Sequence, residues 1–402
     1  AIHYFTLAAD QNFPEAQYNL GLIYYKDKYN HQNIKKAIYY FTLAADQNGP
    51  KAQYYLGLIY FEGIFIRHDI NKAIHYLTLS ANQNYTKALY KLGLIFSDGK
   101  YVKQDINKAI YFFALSANQN DSKAQFNLGL IYSDGKYIPR DINKAIHYFT
   151  LAANKNGPEA QYNLGLLYFE GKYILRDINK AIYYFMLSAN QNFAEAQYFL
   201  GLHYFEGQFI SRDINKAIHY LTLAANQNIP EAQYILGFIY LDDKYILRNI
   251  NKAIYYYSLA ANKNIRQAQY SLGLIYYKGE LIKHDINKAI YYFTLAANQN
   301  VQEAQYNLGL IYSKGKYIEC DMNKSIYYYS LAANQNNLEA QFNLGLLYFE
   351  GKNIPRDINK AIKYFKLAAN QNLSIAQFFL GLIYYEGKYF TRDINKAIYY
   401  YS

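Results

Sequence analysis

The sequence predicts an all-α solenoid of tandem helix-turn-helix repeats, each 36 residues long. Three observations lead there. The run INKAI recurs with its alanine at 73, 109, 145, 181, 217, 253, 289, 361 and 397, while Ala1, Ala37 and Ser325 fill the remaining steps, so the period is 36 without an insertion. Each period holds two segments of helical hydrophobic periodicity. Glycine, asparagine and aspartate recur between them at fixed offsets. Eleven full units occupy 1–396 and six residues of a twelfth follow, so residues 1–402 read as a single array rather than as the two or three globular domains that length alone suggests. The array starts and ends within a second helix, and it is expected to be a piece of a longer chain.

The first helix of a unit, helix A, is expected at about 14–26 and every 36 residues thereafter. In the copy PEAQYNLGLLYFEG, Ala160, Leu164 and Tyr168 form one stripe. Pro158 suits the first turn, where a missing N–H costs nothing, and Gly171 suits a left-handed terminating residue. After the loop KYILR, Asp177 is placed to accept hydrogen bonds from the free N–H groups that open helix B, INKAIYYFMLSANQ, expected at about 34–47 in the first unit. Asn192 closes it, and the same asparagine recurs in every unit from Asn12 to Asn372. Asparagine is the non-glycine residue best able to adopt the left-handed conformation.

Neither helix can bury its stripe alone, so neighbouring units must supply the core. The Gly21 column (Gly57, Gly93, Gly129 and on to Gly381) lies inside helix A. Glycine there costs roughly 1 kcal/mol against alanine, which close helix approach would offset. Small pairs on helix B, such as Ala44 with Ala45, serve the same end.

Ala160, Leu164-Gly165, Tyr168, Gly171, Asp177, Lys180-Ala181, Tyr184 and Ser188-Ala189 together resemble the Sel-1-like repeat, a relative of the tetratricopeptide repeat. Eleven in-phase copies carry the resemblance over essentially the whole chain. It implies a right-handed superhelix with the A helices on the concave side, and a role as an adaptor that assembles protein complexes. A cysteine-rich branch of that family has a disulfide in each repeat; with Cys320 as its only cysteine, this chain stands outside it. Asp27 and Asp243 replace the terminal glycine, Asn33 and Asn249 the capping aspartate, and Phe96 the tyrosine. These departures put local loop geometry in question in the first and seventh units.

The net charge of +11, from 41 Lys+Arg against 30 Asp+Glu, raises nucleic acid or an anionic membrane as partners. Its distribution argues otherwise. On a helical wheel, positions 15, 19, 22 and 26 fall within about 60° of one another, opposite the Ala16–Leu20–Tyr24 stripe. Over eleven units the Glu15 column sums to −3 and the Lys26 column to −5, so the open A-helix face is acidic. The Asn19 column is the most varied, with Tyr55, Lys91, Asn163, Phe199, Ile235, Ser271 and Phe379 among its members. Leucine fills position 22 in ten units. The positive charge lies in the Lys36 column and in loop residues such as Arg176 and Arg212.

The leading expectation is therefore a scaffold that binds peptide segments or partner domains on the A-helix face, through Glu159, Asn163, Glu170, Glu195, Phe199, Glu206, Glu231, Ile235 and Asp242. Partners with basic residues beside apolar anchors fit that surface. The alternative is an RNA-binding repeat protein using the basic, tyrosine-rich surface, with acidic groove columns against it. The 51 tyrosines are discounted as a clue, because Tyr, Asn, Ile and Lys codons are all A/T-rich. End-to-end association through Tyr4, Phe5, Tyr400 and Tyr401 is a further expectation, since terminal units of such arrays generally need polar caps.

No constellation points to catalysis, a cofactor or a metal. His3, His75, His147 and His219 share one helix-B column at every second unit, roughly 20 Å apart at the usual spacing of packed helices, too far for joint coordination. Cys320 replaces a loop arginine and has no evident histidine partner. No apolar run approaches the roughly 18–20 residues a membrane span needs. A cytoplasmic location is expected, or the lumen of the endoplasmic reticulum if a signal peptide precedes Ala1.

Overall fold

The computed structural model describes residues 2–27, 30–388 and 392–401. Ala1 and the side chain of Tyr401 lie outside them. Among the described residues there are 23 helices and no strand, and helices A and B alternate at the 36-residue step. Packing divides the chain into two compact units, 1–197 and 198–402, the division falling within helix Ala194–Glu206. Both are arrays of the same helix pair.

The boundary chemistry acts as the sequence implies. Helix A of the illustrated repeat spans Pro158–Glu170, with proline first and Gly171 left-handed at φ 62°. Helix B spans Ile178–Asn190, and Asp177 Oδ1 accepts from the Lys180 N–H at 2.9 Å. All eleven terminal asparagines, Asn12 to Asn372, have φ between 56° and 65°. The two departures in the glycine column alter their loops. Helix Pro230–Leu241 ends one residue early, and Asp242 is extended at φ −96° and ψ 115°. In the first repeat, helix B starts early at His31, where the Asn30 side chain accepts from the Gln32 and Asn33 N–H groups. Asn33 Nδ2 donates to Asp27 Oδ2 at 2.9 Å, so both replacements join one cap.

Ala160 and Leu164 of helix A are buried in one cluster with Ala145, Phe149, Ala152 and Ala153 of the preceding helix B, and helix A also packs on its own helix B, where Ala181, Phe185, Ser188 and Ala189 are buried. Gly165 is what lets them meet. A Cβ there would lie 2.6 Å from Phe185 Cε1, so the ring occupies the space any side chain would need. Phe41, Phe113, Phe149, Phe293 and Phe365 stand the same way over their own glycines. Toward solvent, Tyr168 and Tyr184 stack at 6.0 Å and 6°, and Lys180 Nζ lies 5.1 Å from the Tyr168 centroid. That lysine also lies 3.6 Å from Asp177 Oδ2, in an exposed pair worth little by itself.

A buried glutamine ladder ties successive repeats together. Gln161 Nε2 donates to the Ala153 carbonyl at 3.2 Å, and its Oε1 accepts from Gln191 Nε2 at 2.6 Å. The same pairing joins Gln17 to Gln47 and Gln305 to Gln335. It fails twice. Gln125 and Gln233 have Oε1 atoms buried without a hydrogen-bond partner, and the residues 30 positions on, where the donor should be, are Lys155 and Lys263.

Candidate protein-binding surface

The face of helix A turned away from the core is built from four columns, and they differ in exposure. Positions 15 and 26 are exposed: Glu159 and Glu170 in one repeat, Glu195 and Glu206 in the next, Glu231 in the one after. Asp242 is half-buried, and its Oδ1 accepts from the Lys244 N–H at 3.0 Å, which holds the shortened helix end. The leucines at position 22 are mostly half-buried and form an apolar ridge between the charged columns.

Position 19, which the isolated wheel puts in the open, is half-buried in every repeat. The cause is the preceding helix B, whose core ring reaches it. Tyr55 stacks on Phe41 at 5.2 Å and 7°, and Phe379 on Phe365 at 5.2 Å and 11°. Where the column carries asparagine, the side chain turns back along its own helix, as when Asn163 Nδ2 donates to the Glu159 carbonyl at 2.8 Å. Its variety thus answers in part to the core ring beneath it. Phe199 packs edge-on against His203, centroids 4.2 Å apart, and His203 Nδ1 lies 3.8 Å from Glu206 Oε2. Burial lowers the His203 pKa, while Glu206 opposes the shift. Of the predicted set, Glu159, Asn163, Glu170 and Glu195 belong to the first unit, and Phe199, Glu206, Glu231, Ile235 and Asp242 to the second.

A column the sequence reading passed over lines this face as well. Position 18 is Tyr or Phe in all repeats, including Tyr54, Tyr90, Tyr162, Tyr234 and Tyr270. Burial raises their hydroxyl pKa values, that of Tyr54 to about 12, so they remain O–H donors at neutral pH. Two grooves open beside them. One, of about 610 Å³, lies in the first unit between Tyr54, Leu58, Tyr90 and Leu94. The other, of about 580 Å³, lies in the second between Tyr234, Phe238, Tyr270 and Ser271.

The repeat pattern decides the family. The Sel1 repeat matches residues 1–13, ten successive 36-residue segments from 14–49 to 338–373, and 374–402. The chain belongs to the Sel1 repeat family. Members of this family are generally scaffolds for protein interaction. Two solved structures resemble this Sel1 array along most of its length. One is a protective antigen of uropathogenic Escherichia coli strains displaying an SLR fold, 28% identical, with a TM-score of 0.76 over 100% of this chain and 86% of that one. The other is a Sel1 repeat protein from Oxalobacter formigenes, also 28% identical, with a TM-score of 0.59 over 77% of this chain and 90% of that one. No protein of curated function matches the chain in sequence.

Much of the array's positive charge is engaged by its own structure. Eight lysines of the Lys36 column lie 3.0 to 3.7 Å from the aspartate that opens their helix. The loop arginines close helix A from its other end. Arg140, Arg176 and Arg248 donate from Nε to last-turn carbonyls at 2.6, 2.7 and 2.8 Å, a favourable place for a cation. Gln104 donates in the same way to Ser97, and Cys320 Sγ lies 3.6 Å from the Ser313 carbonyl. Among the described residues no group of His, Cys, Asp and Glu could hold a metal ion, and no helix is long and apolar enough to cross a membrane.

Proposed function

We propose that this Sel1 array is an interaction scaffold whose A-helix face takes peptide segments carrying basic residues beside apolar anchors. The observation that carries this reading is found in each unit by itself: half-buried leucines and aromatics flanked by exposed carboxylates, at Glu159, Glu170 and Glu195 in the first unit and at Glu206 and Glu231 in the second. Apolar anchors supply most of the affinity at such surfaces, and rim charges govern association rate and selectivity. The RNA alternative draws no support from the eight helix-B lysines and the loop arginines that are committed to helix caps and local pairs, and phosphates would meet the exposed carboxylates.

The test is fluorescence anisotropy with a labelled peptide library graded in charge and apolar content. Peptides with Lys or Arg next to Leu or Phe should bind best. Phe199→Ala or Ile235→Ala should weaken them by at least about 1 kcal/mol, and Glu195→Lys with Glu231→Lys should slow association in a salt-sensitive way. Binding that survives both changes and disappears on charge reversal at Arg176 and Arg212 would move the site to the loop edge. Tighter binding of single-stranded RNA, with a steep salt dependence, would replace the proposal with the alternative.

A further inference from the structure

The A-helix face is not acidic throughout. In three successive repeats of the first unit the position-15 residue is lysine: Lys51, Lys87 and Lys123. The position-19 residue of the middle repeat is also lysine, Lys91, alone in its column. Lys87, Lys91 and Lys123 all line the groove of about 610 Å³ beside Tyr54 and Tyr90.

Among the described residues none of the three lies within ion-pair distance of a carboxylate, whereas eight lysines of the Lys36 column do. Lys91 is half-buried with its Nζ 3.8 Å from the centroid of the Phe61 ring, and that burial lowers its pKa against the opposing field of Glu62. A partly desolvated ammonium group held over a ring gains more from an incoming anion than one in open water. The Tyr90 hydroxyl accepts from Asn127 Nδ2 at 3.5 Å, which leaves its own proton to donate. One carboxylate, Asp121, also lines the groove. Its oxygens are occupied, Oδ1 by the Lys123 N–H at 3.0 Å and Oδ2 by Ser116 Oγ at 2.8 Å.

We infer that this groove is an anion-selective subsite that takes a peptide segment bearing two or three carboxylates beside an aliphatic or aromatic side chain. The inference rests on the A-helix face being the binding face and adds a second site of opposite charge preference. Its occupant follows from the lining. Leu58, Leu94 and the two tyrosine rings call for an apolar side chain, which free phosphate does not supply. A nucleic acid would outrun the cationic patch: the C-terminal ends of the same helices carry Glu62 and Asp98, one turn or roughly 6 Å beyond Leu58 and Leu94, and Asp134 ends the next helix. A short acidic segment matches both the size and the limit of the patch.

The test measures anisotropy of a labelled peptide of about ten residues rich in Glu and Asp around a Leu-Phe pair, with inorganic phosphate and a short single-stranded RNA as competitors. The acidic peptide should bind. Lys87→Glu with Lys123→Glu should weaken it by roughly tenfold or more, Lys91→Met should weaken it at unchanged helicity, and Lys91→Arg should restore it. Both position-15 lysines are exposed, so their reversal leaves folding intact. Absence of binding, or binding indifferent to all three lysines, overturns the subsite. Phosphate or RNA binding more tightly through the same lysines overturns the assigned occupant. Failure of the basic-peptide reading is read separately, from Glu195→Lys and Glu231→Lys, which leave the three-lysine groove unaltered.

Discussion

Gln125 and Gln233 are the residues where the array's own pattern is broken at a buried atom. In the intact ladder each glutamine oxygen receives an amide N–H from the next repeat, as Gln161 does from Gln191 at 2.6 Å. Lysine at 155 and 263 is exposed, and each facing oxygen is buried without a partner. A buried acceptor without a donor keeps its desolvation cost. Lys155→Gln should therefore raise stability by about 1 kcal/mol, read as a higher denaturant midpoint at unchanged m-value; no gain would mean that water or the lysine itself satisfies Gln125. Gly165 makes the opposite case. Because a Cβ at that position would sit 2.6 Å from the Phe185 ring, Gly165→Leu should destabilise by more than about 2 kcal/mol through overpacking. An unchanged melting temperature would show that the ring can move aside. The glycine column was legible in the sequence as a close approach, but the occupant of the space was not. The ladder was not legible either, because its partners stand 30 residues apart and become neighbours only after the repeats stack.

Helix ends were the most legible feature of this chain, since their chemistry is local. Asp177, Gly171 and Asn192 take the conformations their residue types favour, and each needs no knowledge of a neighbouring repeat. The loop arginines were harder to read. Their partners are backbone carbonyls seven residues earlier, as for Arg176 and Phe169, and a carbonyl leaves no mark in a sequence. Position 19 was misplaced for a related reason: a wheel drawn for one helix does not include the ring that the preceding helix B lays against it. The capping aspartates yield an acid-side prediction. At Asp141 the backbone N–H of Lys144 is the largest cause of a lowered pKa, with the Lys144 ammonium assisting. A carboxyl whose folded pKa is depressed contributes stability that is complete above the ordinary aspartate range and is lost as pH falls through the folded value. Asp321, Asp357 and Asp393 behave alike, so the array should weaken steadily below about pH 4. Asn249 shows that an uncharged cap holds the same geometry, its Oδ1 accepting from Lys252 at 3.0 Å. Asp141→Asn should accordingly keep the fold while reducing the acid-side slope. An identical slope in the variant and the parent would remove this aspartate as a contributor.

Taken over the whole chain, the tyrosines set aside at the sequence level as a product of coding bias have two structural classes, and the difference predicts how the molecule responds to base. Exposed loop tyrosines such as Tyr137 and Tyr173 have lowered pKa values, chiefly because Lys136 and Lys172 hydrogen-bond their hydroxyls. Tyrosines packed between helices go the other way. Burial raises Tyr18, Tyr54 and Tyr329 to about 12, and it raises Tyr148, Tyr184 and Tyr220 within the stacked pairs. A group whose folded pKa exceeds its unfolded value of about 10 contributes stability that is complete below that value and is lost as pH rises through the folded one. Because the pattern repeats in unit after unit, the individual losses accumulate. Phenolate absorbance should therefore rise in two phases: a gradual early one from the exposed loop tyrosines, then a cooperative one between roughly pH 10 and 12 that coincides with loss of helical circular dichroism. With no tryptophan in the chain, tyrosine emission follows the same event without interference. Tyr173→Phe should remove amplitude from the early phase alone, and Tyr329→Phe should postpone the late one, since the core ring stays while its ionisation is abolished. A single smooth titration of all tyrosines with helicity intact past pH 12 would show that the buried hydroxyls are reached by solvent without unfolding, and that base does not act on the packing between helices.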